Sequence, residues 1–132
     1  MEEGPESRAA VQGHRYWIAV AYFLFAAAPG CWFPTIARAL HEVGWGDLTA
    51  TVFLVMPVVG LVSPLLFAAW ADQRFRADRI LAVIVGGGTI LLWLAFRELE
   101  RGESRGLFLT WMVLNAIVIA PGWSLLNVIA LT

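Results

Sequence analysis

"LLFAAWADQRFRADRIL", residues Leu65 to Leu81, places five charges in the eight positions from Asp72 to Arg79. On each side the chain is almost wholly apolar over a length that matches a bilayer. A soluble domain spreads its charges to cover its surface, at about 25% of residues. Here only 14% of residues are Asp, Glu, Lys or Arg, 60% are hydrophobic, and the mean hydropathy is +0.74. The charges fall into clusters at Glu2–Arg15, Arg38–Asp47, Asp72–Arg79 and Arg97–Arg105, with none between. The charged knot is therefore expected to be a turn between two membrane spans.

A bilayer core of about 30 Å takes roughly 20 apolar helical residues. Four segments meet that length: Tyr16–Ala37, Leu48–Ala71, Ile80–Phe96 and Leu107–Thr132. Their apolar runs are continuous rather than alternating, which excludes barrel strands, and only helices otherwise satisfy their own backbone in hydrocarbon. The fold class is an all-α integral membrane protein of four transmembrane helices. Residues 1–15 form a short tail and residues 16–132 the membrane region. Trp17, Trp45, Trp70 and Trp111 stand near the span borders, where an amphipathic ring favours the headgroup level. Trp32 and Trp123 lie deeper and are expected to pack between helices.

The first span is read as a retained helix rather than a signal peptide. Glu2, Glu3 and Glu6 replace the positive leader, and the apolar pattern runs on past the lipobox-like "APGC" through "WFPTIA". With the N-terminus in the cytoplasm, Arg8, Arg15, Arg74, Arg76 and Arg79 lie inside, against Arg38, Arg97, Arg101 and Arg105 outside. The positive-inside rule thus leans towards this orientation by a single arginine. The last span reaches Thr132 still in apolar text, so the chain is expected to be the opening part of a longer polytopic protein.

Prolines interrupt three spans, at Pro29 and Pro34, Pro57 and Pro64, and Pro121. Ala26, Gly30, Pro34 and Arg38 recur every fourth residue, as do Gly60, Pro64, Ala68 and Asp72. Each row makes a small-sided seam for another helix. Gly86, Gly87 and Gly88 offer a further close approach. Packing seam and hinge both fit these rows.

The charged knot also carries a resemblance. "AAWADQRFRADR" resembles the loop between the second and third helices of major facilitator superfamily transporters, in which a Gly, three residues, an Asp, a basic residue, a Gly and further basic residues follow in order. Asp72 matches the aspartate, and Arg74, Arg76 and Arg79 supply the positive charge. Ala68 stands at the first Gly, while Gln73 and Phe75 depart from the pattern. The nucleoside–proton symporter branch also lacks that second Gly. "GCWFPTI" (Gly30–Ile36) is similar to its Gly-x-Trp region, and "APGWSLLNVIA" (Ala120–Ala130) to its Pro-x-x-x-Leu-x-Asn stretch. The similarity runs from about Gly13 to Thr132.

The resemblance implies the first four helices of a twelve-helix carrier in a bacterial cytoplasmic membrane, taking up nucleosides with protons by alternating access. Its partners would be the nucleoside, protons, the bilayer and the remaining helices. It makes Asp72 an inner-side latch with Arg76 or Arg79 as partner. Without gating, the same loop would be a topology anchor, because arginines resist translocation.

Substrate sites in such carriers lie near the midplane. The uncharged groups expected there are Thr35, Thr51, Ser63, Thr89, Asn115, Ser124 and Asn127. Ser124 and Asn127 share a helical face and can bond either a ribose or another helix, and Trp32 can stack on a base or pack. A proton-coupled carrier needs a group that titrates in its pathway, and no Asp, Glu or His falls deep in a span. His14 and His41 lack a second ligand at metal spacing, and Cys31 is the only cysteine. No nucleophile–base pair or phosphate loop is present, so no enzyme, metal or cofactor is expected. With a net charge of -1 the chain has no general pull on nucleic acid. Two other functions fit four spans: a small exporter acting as a dimer, though Tyr16–Ala37 lacks the acidic residue such carriers use, and a non-transporting membrane subunit.

Overall fold

The computed structural model describes residues 5–68 and 77–131, all of them in helices or the short turns that join them. Helix α1 spans Pro5–Glu42, a single turn of 3-10 helix covers Gly46–Leu48, and α2 spans Thr49–Ala68. Helix α3 is Ala77–Arg101, α4 is Arg105–Ile119 and α5 is Pro121–Leu131. Three stretches are long and apolar enough to cross a membrane: Arg15–Glu42, Arg79–Arg101 and Arg105–Asn127. The expected second span is apolar throughout α2, which carries no charged residue over its 20 residues. Its expected end at Ala69–Ala71 lies outside the described residues.

Several expected borders move. The first helix overruns Tyr16–Ala37 at both ends, and the third overruns Ile80–Phe96. Hydrophobicity marks where hydrocarbon ends, whereas a helix stops where its last carbonyls find other partners. For α1 that stop is a Schellman motif. Gly44 takes φ +77°, the Gly44 N–H donates to the His41 carbonyl (3.1 Å), and the Trp45 N–H donates to the Leu40 carbonyl (2.7 Å). Leu40 and Trp45, the pair whose apolar contact closes this motif, are both buried. For α3 the stop is Gly102 at φ +65°, whose N–H donates to the Glu98 carbonyl. Two residues later Ser104 caps α4, its hydroxyl accepting from the Leu107 N–H at 3.3 Å. The expected fourth span divides at Ala120 because Pro121 has no N–H to continue the ladder. Ala120 keeps right-handed helical dihedrals, so the two pieces act as one span broken by one missing bond.

Helix α4 is the centre of the bundle, packed most closely on α3 and also on α2, while α5 touches α1, α2 and α3. The α1–α2 and α3–α4 turns lie together at one end. There Trp45 meets Phe108 at 6.0 Å between ring centroids, and Arg105 reaches the Asp47 carboxylate at 3.2 Å. The same arginine donates to the Gly44 carbonyl and lies over the Trp45 ring. The buried core is concentrated at this end: Ile36, Leu40, Trp45, Val52, Ala95, Leu99, Phe108 and Met112. Trp45, expected to float at the headgroup level, is instead part of that core at 5% exposure, because the Schellman turn folds it back over Leu40.

Away from the turns the helices separate. In the most apolar window of α1 no residue is buried, and Phe23, Leu61, Val83 and Ile90 are each more than 60% exposed. Large side chains of this kind across several helices make an apolar surface suited to lipid rather than water. The two expected seams stay open over their described residues: a Cβ on Gly30 or Gly60 would meet nothing within 4 Å. Gly88 does make a close approach, its built Cβ falling 2.6 Å from Ile119 Cγ1.

Candidate functional site

The separation of the helices leaves a cavity of about 300 Å³ that runs from mid-depth toward the end remote from the two turns. Phe25, Ala28 and Trp32 of α1 form one wall, Val85 and Thr89 of α3 another, and Ile119 closes the α4 side. None of its described lining residues can ionise. The Thr89 hydroxyl donates to the Val85 carbonyl of its own helix at 2.8 Å, which spends its proton locally. The Trp32 indole N–H makes no hydrogen bond among the described residues.

Two polar contacts flank the cavity. Behind its α3–α4 wall Asn115 is 1% exposed, and its Nδ2 donates to the Gly88 carbonyl at 2.7 Å. This bond is possible because Gly88 brings the two backbones together. The Asn115 Oδ1 is buried without a partner. At the α1–α5 edge the Tyr22 hydroxyl donates to Asn127 Oδ1, and Trp123 packs edge-on against Phe25 at 4.9 Å. Gly122 permits that contact, since a Cβ there would overlap the Phe25 ring.

Of the expected site residues, Trp32 lines the cavity. Thr35 does not. It lies on a separate, shallow groove with Pro34, Arg38 and Glu42, and its hydroxyl donates to the Cys31 carbonyl. Ser124 is exposed and does not line the cavity, and Asn127 accepts from the Tyr22 hydroxyl on another helix, the interhelical alternative for this pair. Asp72, Arg74 and Arg76 lie outside the described residues. Arg79 is exposed in the first turn of α3, and Ala68 is the last residue of α2. Sequence reasoning missed Tyr22 and Phe25, two aromatic positions one turn apart on α1. Their spacing from Trp32 was the available signal, since positions 22, 25, 29 and 32 fall on one helical stripe.

No family model, no curated protein and no solved structure matches this chain.

Proposed function

We propose that this chain is a membrane unit of a secondary transporter that moves a small solute by alternating access, with a nucleoside taken up alongside protons as the leading substrate pair. The observation that carries the transporter reading is the asymmetry of the bundle. It is packed shut at the end of the two turns, and it opens into a cavity in the other half. A carrier held in one of its facing states needs that arrangement around a site near the midplane. Trp32 and Phe25 supply flat apolar surface for a base, and Tyr22 with Asn127 supplies hydroxyl and amide groups at the edge for a sugar.

The resemblance supplies the remaining parts: Asp72 with Arg74, Arg76 and Arg79 as the inner-side latch, a bacterial cytoplasmic membrane, and an inward N-terminus. None of the described cavity-lining residues can ionise, so this reading assigns proton coupling to groups outside that lining. No feature of the cavity suits catalysis, and the reading is of a carrier rather than an enzyme.

The test is uptake of labelled uridine and of labelled adenosine by vesicles containing the protein, with and without an inward proton gradient. Gene-dependent uptake that rises with the gradient is expected. Uptake that responds to neither the gene nor the gradient rejects the assignment.

A further inference from the structure

The composition of the cavity states which part of a solute it holds. An engineered cavity of about 150 Å³ with a Leu/Ile/Phe lining takes up one benzene ring and stays free of water. The present cavity, at about 300 Å³, has twice that room. Among its described lining residues only two side chains carry a polar atom: Thr89, whose hydroxyl is already bonded within α3, and Trp32, whose indole N–H has no partner among the described residues. A charged group here would be unpaired in a low-dielectric site, and each unpartnered hydroxyl would cost about tenfold or more in affinity. An uncharged ring system meets neither penalty.

We propose that the cavity is a binding site for an uncharged two-ring aromatic group bearing a hydrogen-bond acceptor. The ring packs between Phe25, Val85 and Ile119, and the acceptor takes the Trp32 N–H. The polyhydroxylated part of any larger solute stays outside, at the Tyr22–Asn127 edge. This deepens the transporter reading by naming the recognised moiety. It rests on that reading only for passage of the solute and not for its binding.

The test uses the full chain in lipid nanodiscs with tryptophan indoles labelled by 15N, and two isosteric probes: quinoline, which carries one ring-nitrogen acceptor and is neutral at pH 7, and naphthalene, which carries none. The Trp32 resonance is identified by its loss in Trp32→Phe. Quinoline is expected to shift that resonance saturably and to bind roughly three- to tenfold tighter than naphthalene. Trp32→Phe should abolish this preference while naphthalene still binds. Ala28→Leu, which fills the cavity from α1, should weaken both probes at least tenfold, with the indole spectrum otherwise dispersed as in the parent. A Trp32 resonance that never saturates, as bulk partition into lipid would give, overturns the proposal. So does equal preference in Trp32→Phe, or undiminished binding in a folded Ala28→Leu. Saturable binding without uptake of either uridine or adenosine keeps this inference and rejects the nucleoside assignment; uptake without saturable binding does the reverse.

Discussion

The contact between Gly88 and Ile119 can be tested against a control on the same helix. A Cβ on Gly88 would fall 2.6 Å from Ile119 Cγ1 and 2.7 Å from Cδ1, and 3.6 Å from Asn115 Nδ2. The Ile119 side chain must then give way, or α3 and α4 must part and stretch the 2.7 Å Asn115–Gly88 bond. Overpacking of this kind costs about 1–3 kcal/mol, and loss of an interhelical bond in a membrane adds about 0.6 kcal/mol. Against this, Gly→Ala in a helix gains about 1 kcal/mol of propensity. Gly88→Ala is therefore expected to destabilise by about 0.6–2.6 kcal/mol net. Gly86, half a turn away, faces open space, so Gly86→Ala keeps the propensity gain and should stabilise by about 1 kcal/mol. The assay is reversible unfolding in mixed micelles by graded SDS, followed by tryptophan fluorescence. Ile119→Ala placed on Gly88→Ala should recover part of the loss, with a coupling of about 0.5–3 kcal/mol. If the two glycine variants shift stability in the same direction by the same amount, the close approach of α3 and α4 described above is refuted.

Further outcomes follow from the turn end and the α1–α5 edge. Gly44→Ala forces a Cβ into the left-handed region at φ +77° and should cost about 1–2 kcal/mol in the same unfolding assay. Asp47→Asn removes one partner of an exposed ion pair and should cost under about 1 kcal/mol, shrinking further as salt is raised. Phe108→Ala opens the packed end where that ring is 0% exposed and should cost about 3–5 kcal/mol. Tyr22→Phe deletes the bond to Asn127 and should lower stability by about 0.6–1.7 kcal/mol, with faster disulfide trapping of α1 away from α5 in paired-cysteine variants as a second readout.

The spans were legible because hydrocarbon imposes a length and a composition that four segments satisfy on sight, and three of them are long and apolar enough in the structure. Their ends were less legible. Leu40, His41 and Glu42 are helical although His41 and Glu42 are polar, because the decision belongs to Gly44 and its left-handed φ. Trp45 shows the same limit: its type and place suggest an interfacial ring, while the turn geometry buries it. In the site, Trp32 could be read from its depth within the first span. Thr35 could not be separated from it, because three residues along a helix turn a side chain by 300° and a proline at 34 does not say which way. The pairing of Tyr22 with Asn127 joins residues 105 apart, and nothing in local pattern forecasts such a partner. The glycine triplet was legible as a close approach, and of its three members it is Gly88 that meets α4 tightly.

The principal helix partner of α1 is α5, the element made after every other helix described. During synthesis the C-terminal half of the first helix can close on α2, α3 and α4 through Ile36 and Leu40, whereas its N-terminal half lodges in lipid with little beyond a self-satisfied backbone and greasy flanks. Only when Trp123 and Asn127 arrive does Phe25 or Tyr22 gain a mate. A ribosome stalled before Pro121 would leave the Tyr22–Phe25 stretch of that first helix without its mates while its other half is already packed.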